Sequence, residues 1–111
     1  MVRKAVVTGI GIISSLGNNA KEVLTSLKEC KSGISHSEEY AEKGFRSHVY
    51  GMPKIDLNDA LDRKNKRFMG DGAAYNYLSM EEAIADSGLS EEQVSHERTG
   101  LIMGSGGPST R

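Results

Sequence analysis

Tryptophan is missing from this chain, and phenylalanine occurs only twice. A small core is still possible at a hydrophobic content of 37%. Cysteine is nearly missing as well. The single one, Cys30, rules out an internal disulfide framework and suits a reducing compartment. Neither sign of charge dominates, since 14 Lys and Arg stand against 15 Asp and Glu for a net charge of -1. No general attraction to nucleic acid is therefore expected. Long apolar runs are absent too. No stretch approaches the roughly 18 residues of a spanning helix, so no membrane partner is expected. His36, His48 and His96 are scattered, without short ligand spacing to each other or to the cysteine, and no metal is expected. There is no internal repeat and no low-complexity linker.

The 111 residues that are present amount to one domain or part of one. Arg3 and Lys4 precede an apolar run, as in a secretory signal. Thr8, Gly9 and Gly11 break that run, and it has no leucine before Leu16. A β-branched, glycine-interrupted run fits a buried strand better than an inserted helix. A cytoplasmic location is expected.

The same run, AVVTGIGIIS from 5 to 14, invites comparison with a dinucleotide-binding turn. That turn needs Gly-x-Gly-x-x-Gly between a strand and a helix. Gly9 and Gly11 fit its first two positions, but Ser14 occupies the third. The best helix start is only at Asn18 or Asn19. Glu38 and Glu39 are poor candidates for the acidic residue expected about 20 residues on. A nucleotide-binding α/β domain is thus a minor alternative, and no cofactor is expected. The simpler account is a central strand with glycines at close contacts.

Periodicity gives a coarse order of elements. A strand is predicted over Lys4 to Thr8, and a helix over Ala20 to Cys30 with Val23, Leu24 and Leu27 on one face. Residues 35–45 read as a loop with a helical turn, Arg46 to Tyr50 as a short strand, and Asp56 to Arg67 as one or two irregular helical turns. The clearest element is a helix from Gly72 to Ser87, with Ala73, Tyr77, Met80 and Ile84 on one face and Ala74, Leu78 and Ala85 widening it. Gly88 stops it, and Ser90 with Gln93 caps a further turn. TGLIMGSGG, from 99 to 107, reads as a second apolar strand ending in glycines.

Short apolar strands separated by helices predict an α/β fold with a parallel sheet covered on both faces. Ligands meet the carboxyl ends of such strands, where Gly9/Gly11 and Gly104/Gly106/Gly107 lie. Either those glycines serve a ligand or they simply turn the chain. Two or three strands make a poor sheet, so the chain is expected to be the N-terminal piece of a longer protein, without an internal boundary across 1–111.

VVTGIGIISSLGNN, SGI at 32–34, DRKNKRFM at 62–69, LSMEEAIADSGL at 78–89 and GLIMGSGG at 100–107 together carry a resemblance. In order and spacing they resemble the start of the beta-ketoacyl-acyl-carrier-protein synthases, thiolase-like condensing enzymes, and within them the elongating type I branch. The resemblance implies a layered α/β/α/β/α fold, of which this chain is the first part of the N-terminal half. It implies fatty acid elongation by decarboxylative condensation, without redox or nucleotide cofactor, by a homodimer. A cysteine thiolate would take the acyl chain as a thioester, and two histidines would assist decarboxylation of malonyl-acyl-carrier protein. None of these three residues is matched here. Cys30 lies in KECKSG, unlike the family's nucleophile motif, and reads as a packing or surface cysteine. The segment alone is expected to be inactive. A non-catalytic, chain-length-determining relative would share the whole segment.

Binding residues do carry over. Asp62 to Arg67 holds four cations in six residues, which is either a solvated face or a site for an anionic partner, with Asp59 and Asp62 available to pair some of the charge. Arg63, Lys64 and Arg67 match positions that dock the acidic acyl carrier protein in this family, while Lys66 departs from it towards more positive charge and is expected only as a helper in that contact. Gly107 matches a part of the family near the acyl pocket and dimer interface. The adjacent Pro108 departs from the more flexible residues common there, and its fixed φ would stiffen the loop.

Overall fold

The computed structural model of the chain describes residues 2–107, which fall into two compact units. One is formed by Ile12–Ile55, the other by residues 2–11 together with 56–107.

The Ile12–Ile55 unit begins with a turn in which Ser14 and Gly17 bond each other's backbone at 2.9 and 3.3 Å. Helix α1 follows over Ala20–Lys28. Asn19 starts it, its side-chain oxygen accepting from Glu22 N at 2.9 Å, while the Glu22 carboxylate reaches back to accept from Asn18 N at 2.8 Å. One free amide of the first turn, that of Glu22, and the amide of the residue before the cap are thereby satisfied. Ser26 Oγ donates to Leu16 O at 2.7 Å and holds the preceding turn to the helix. Val23 is buried, but Leu24 and Leu27 of the expected core face are more than half exposed.

The end of α1 is unusual. Cys30 N donates to Leu27 O at 3.2 Å and Lys31 N to Ser26 O at 2.8 Å, the paired bonds of a Schellman ending. The left-handed position of that motif, normally glycine, is Cys30 with φ 52°. Its thiol is exposed, so of the two expected roles it takes the surface one.

Strand β1 (Ile34–His36) pairs antiparallel with β2 (Val49–Gly51), with Ser35 opposite Tyr50. Between them lies α2, Glu38–Glu42, started by Ser37, whose hydroxyl accepts from Tyr40 N at 3.2 Å. Tyr40 packs in tilted contacts against Phe45 and Tyr50 at ring distances of 5.2 and 5.8 Å.

The second unit is helical. Asp56 and Asp62 start the single turns α3 (Leu57–Ala60) and α4 (Arg63–Lys66), which pack on each other with Leu57 and Leu61 buried. Helix α5 runs from Asp71 to Ser87 and ends at Gly88 in the left-handed region, φ 68°. Ser90 and Gln93 form a reciprocal capping box on α6, Glu91–Val94.

Segment 9–11 runs along α5. Ile10 N donates to the Asp86 carboxylate at 2.9 Å. A Cβ on Gly9 would lie 2.2 Å from Ala83 O, and one on Gly11 1.8 Å from Ser79 O. Ser79, Ala83 and Ser87 are spaced by four and form a row of small side chains beside these glycines. Gly-x-Gly here is a close helix contact, not a cradle for phosphate.

Two expectations fail. Neither 4–8 nor 99–103 forms a strand, and among the described residues the one sheet is the antiparallel pair β1–β2 rather than a covered parallel sheet. A strand exists only with a hydrogen-bonding neighbour, and these segments have none among the described residues. Val6, Val7, Leu101 and Ile102 are correspondingly 79%, 83%, 70% and 95% exposed. The strand expected to start at Arg46 begins at Val49, and it pairs with Ile34–His36, whose last two residues fall in the 35–45 stretch read as a loop.

Candidate functional site

Helix α4 presents the basic cluster. Its N-cap, Asp62, accepts from Asn65 N at 2.9 Å through Oδ1 and from Asn65 Nδ2 at 2.7 Å through Oδ2. Asp56 likewise accepts from Asn58 N at 2.8 Å. These carboxylates are occupied as helix starters. Among the described residues no ion pair engages Arg63, Lys64, Lys66 or Arg67. The expected pairing of some of these charges by Asp59 or Asp62 is not found among the described residues.

The cations divide by face. Arg63, Lys66 and Arg67 lie three and four positions apart, on one side of the turn. They line an open depression of about 550 Å³ together with Asn58, Asp59 and the buried Leu61. Lys64 is exposed and does not line it. The Arg67 guanidinium stands 5.9 Å from the ring centre of Phe68, which is 83% exposed. That distance is within cation–π range and favours one arrangement of a long side chain.

A second concavity, of about 760 Å³, lies in the same unit between α5 and segment 101–107. Ala73, Tyr77, Met80, Leu101, Met103 and Gly107 give it a mostly apolar lining. Gly107 is thus placed in an apolar groove, and an added Cβ there would meet nothing within 4 Å. Pro108 lies outside the described residues. The groove uses three positions of the periodicity expected to face the core, 73, 77 and 80. The buried position of α5 is Ala74, one of the residues expected to widen that face. Spacing locates such a face but does not reveal whether it is covered. On the same helix, burial and the Asp71 carboxylate one turn earlier push the Tyr75 phenol above its ordinary value.

The remaining sequence candidates do not assemble into a site. His36 and His48 meet edge to face at 6.0 Å, and His36 Nε2 is 3.7 Å from a Glu38 oxygen. His96 Nδ1 accepts from Arg98 N at 3.1 Å. No group of three metal-binding side chains occurs among the described residues. No helix among them is long and apolar enough to cross a membrane.

Residues 3–110 match the family model described as beta-ketoacyl synthase, N-terminal domain. The chain belongs to this family. Among related synthases, it is 58% identical over 105 residues to 3-oxoacyl-acyl-carrier-protein synthase 1 of Haemophilus influenzae, covering 95% of this chain and 26% of that protein. It is 54% identical over 111 residues to synthase 1 of Escherichia coli strain K12, covering 99% of this chain and 27% of that one. Identity to synthase 2 of Vibrio harveyi is 31% over 105 residues, covering 94% and 25%. This beta-ketoacyl synthase segment spans about a quarter of the length of the curated relatives it matches. Family membership implies a thiolase-like fold, and the segment itself is a small mixed helix and strand structure.

Proposed function

We propose that this chain is the opening part of the N-terminal half of an elongating type I beta-ketoacyl-acyl-carrier-protein synthase, a cytoplasmic acyltransferase of fatty acid synthesis. The observation that carries this reading is the 54–58% identity to two 3-oxoacyl-acyl-carrier-protein synthase 1 proteins, which spans 95% or more of the chain. In the whole enzyme, segments 4–8 and 99–103 become strands of a layered α/β/α/β/α fold. Their four exposed aliphatic side chains support this, because such surface gains most from burial against a sheet and its covering helices.

The chemistry belongs to residues further along the polypeptide. A cysteine thiolate there attacks the acyl thioester and releases the carrier thiol. Malonyl on a second carrier loses carbon dioxide, and the resulting enolate carbon attacks the acyl-cysteine carbonyl. The cysteine leaves as thiolate and the chain is two carbons longer. Two histidines assist the loss of carbon dioxide and stabilise the developing oxyanion.

The present segment contributes binding. Arg63, Lys64 and Arg67 dock the acidic acyl carrier protein, a role supported by three exposed cations without ion-pair partners among the described residues. Gly107 and Pro108 border the acyl pocket or the homodimer interface, a role that the apolar groove at Gly107 supports.

The test is condensation by the whole polypeptide. Acyl-carrier protein and malonyl-carrier protein should give 3-oxoacyl-carrier protein with release of carbon dioxide, and residues 1–111 alone should give none. A whole polypeptide that binds carrier but forms no 3-oxoacyl product would instead be the non-catalytic, chain-length-determining relative. Charge reversal at Lys64 and Arg67 should raise KM for carrier-borne substrate, most strongly at low salt. Unchanged KM across a salt series would refute the docking role.

A further inference from the structure

We infer that Lys66 is a docking residue for the same acidic carrier, set in a depression that it shares with Arg63 and Arg67. The inference rests on the proposed function and adds a contact to it. Lys66 lies three positions after Arg63 and directly before Arg67, so all three border the depression between α3 and α4. Lys64, the other lysine of the turn, does not.

Charge makes the depression selective. Three cations border it and the only carboxylate in its lining is Asp59. None of the cations is ion-paired among the described residues. The Lys66 side chain is half-buried, unlike the exposed Arg63, Lys64 and Arg67. Buried Leu61 supplies a low-dielectric wall, which focuses the field of the charges around it. A concave, positive, partly apolar surface of about 550 Å³ fits carboxylate side chains projecting from an acidic protein. Lys66 meets them as a compact point charge, whereas Arg63 and Arg67 present planar forks.

The test uses the full-length synthase and compares kcat/KM for acyl-carrier protein with kcat/KM for the neutral N-acetylcysteamine thioester of the same acyl group. The ratio isolates carrier recognition from chemistry. Lys66→Gln should lower it about two- to fivefold at low salt, the range of one exposed charge interaction. Lys66→Glu should lower it further, and Lys66→Arg should largely retain it. The Lys66→Gln loss should shrink as salt is raised. A loss independent of salt would mean that Lys66 acts by packing, and would overturn the inference. Arg67→Glu in parallel tests the docking reading itself. If Arg67→Glu lowers the ratio and the Lys66 variants do not, Lys66 is not a contact while carrier docking stands. If none of them lowers it, both fall.

Discussion

Gly9 and Gly11 press against helix α5, whereas Gly104, Gly106 and Gly107 face open space, although each set follows an apolar segment in the same way. In the first set an added methyl would strike the backbone of α5. In the second it would meet nothing within 4 Å, and Gly104 and Gly107 border the apolar groove. The same residue type therefore does opposite things at the two places. At the first it lets two backbones approach. At the second it leaves volume unfilled beside a mostly apolar groove.

Substitution should separate the two sets. Gly11→Ala places a Cβ 1.8 Å from Ser79 O, a rigid helix carbonyl, so α5 or segment 9–11 must move. The expected loss is about 3 kcal/mol or more, towards the upper end for overpacking. Gly107→Ala should change stability by no more than about 0.5 kcal/mol. Urea unfolding midpoints of the two variants of residues 1–111 check both values. Equal losses would end the distinction.

Cys30 sharpens the comparison from the other side, since it adopts a glycine conformation without being glycine. Its φ of 52° carries the left-handed cost of an L-residue, in a Schellman ending that favours glycine. Cys30→Gly should stabilise the protein by roughly 0.5–1 kcal/mol, after the extra chain entropy of glycine offsets part of the relief. A fall in the unfolding midpoint would show that the thiol makes a contact worth more than the strain.

The smallest effect expected lies on α5, between the two glycine sets. The Tyr75 phenol is raised by burial and by Asp71, so the fold holds its proton more tightly than the unfolded chain does. Its contribution is complete below the unfolded value of about 10 and is lost as pH rises towards the higher folded value. Tyr75→Phe should therefore reduce the loss of stability above about pH 10 and leave its pH dependence near neutrality unchanged. Identical alkaline profiles of variant and parent would remove Tyr75 from the account.

Much of the local structure was legible in the residues. Asn19 begins α1, Gly88 ends α5, and Ser90 with Gln93 makes a capped turn, because these signals are hydrogen bonds and backbone preferences within a few residues. The basic cluster at 63–67 was legible as composition, and family membership as an ordered series of short motifs. Which cations share a depression was not, since Lys66 and Lys64 differ only by the face of one short turn. The spacing of 73, 77 and 80 marks an apolar face of α5 but not its covering, and the face lines a groove.

Local order in this chain thus follows from neighbouring residues, which set the starts, stops and lengths of its helices through interactions closed within one or two turns. Tertiary structure decided what each apolar surface meets: α5 for Gly9 and Gly11, open space for Gly107, and no strand partner among the described residues for 4–8 or 99–103. The reason is physical. Burial and strand pairing depend on groups distant in the chain, and an apolar side chain favours leaving water without specifying which neighbour it joins.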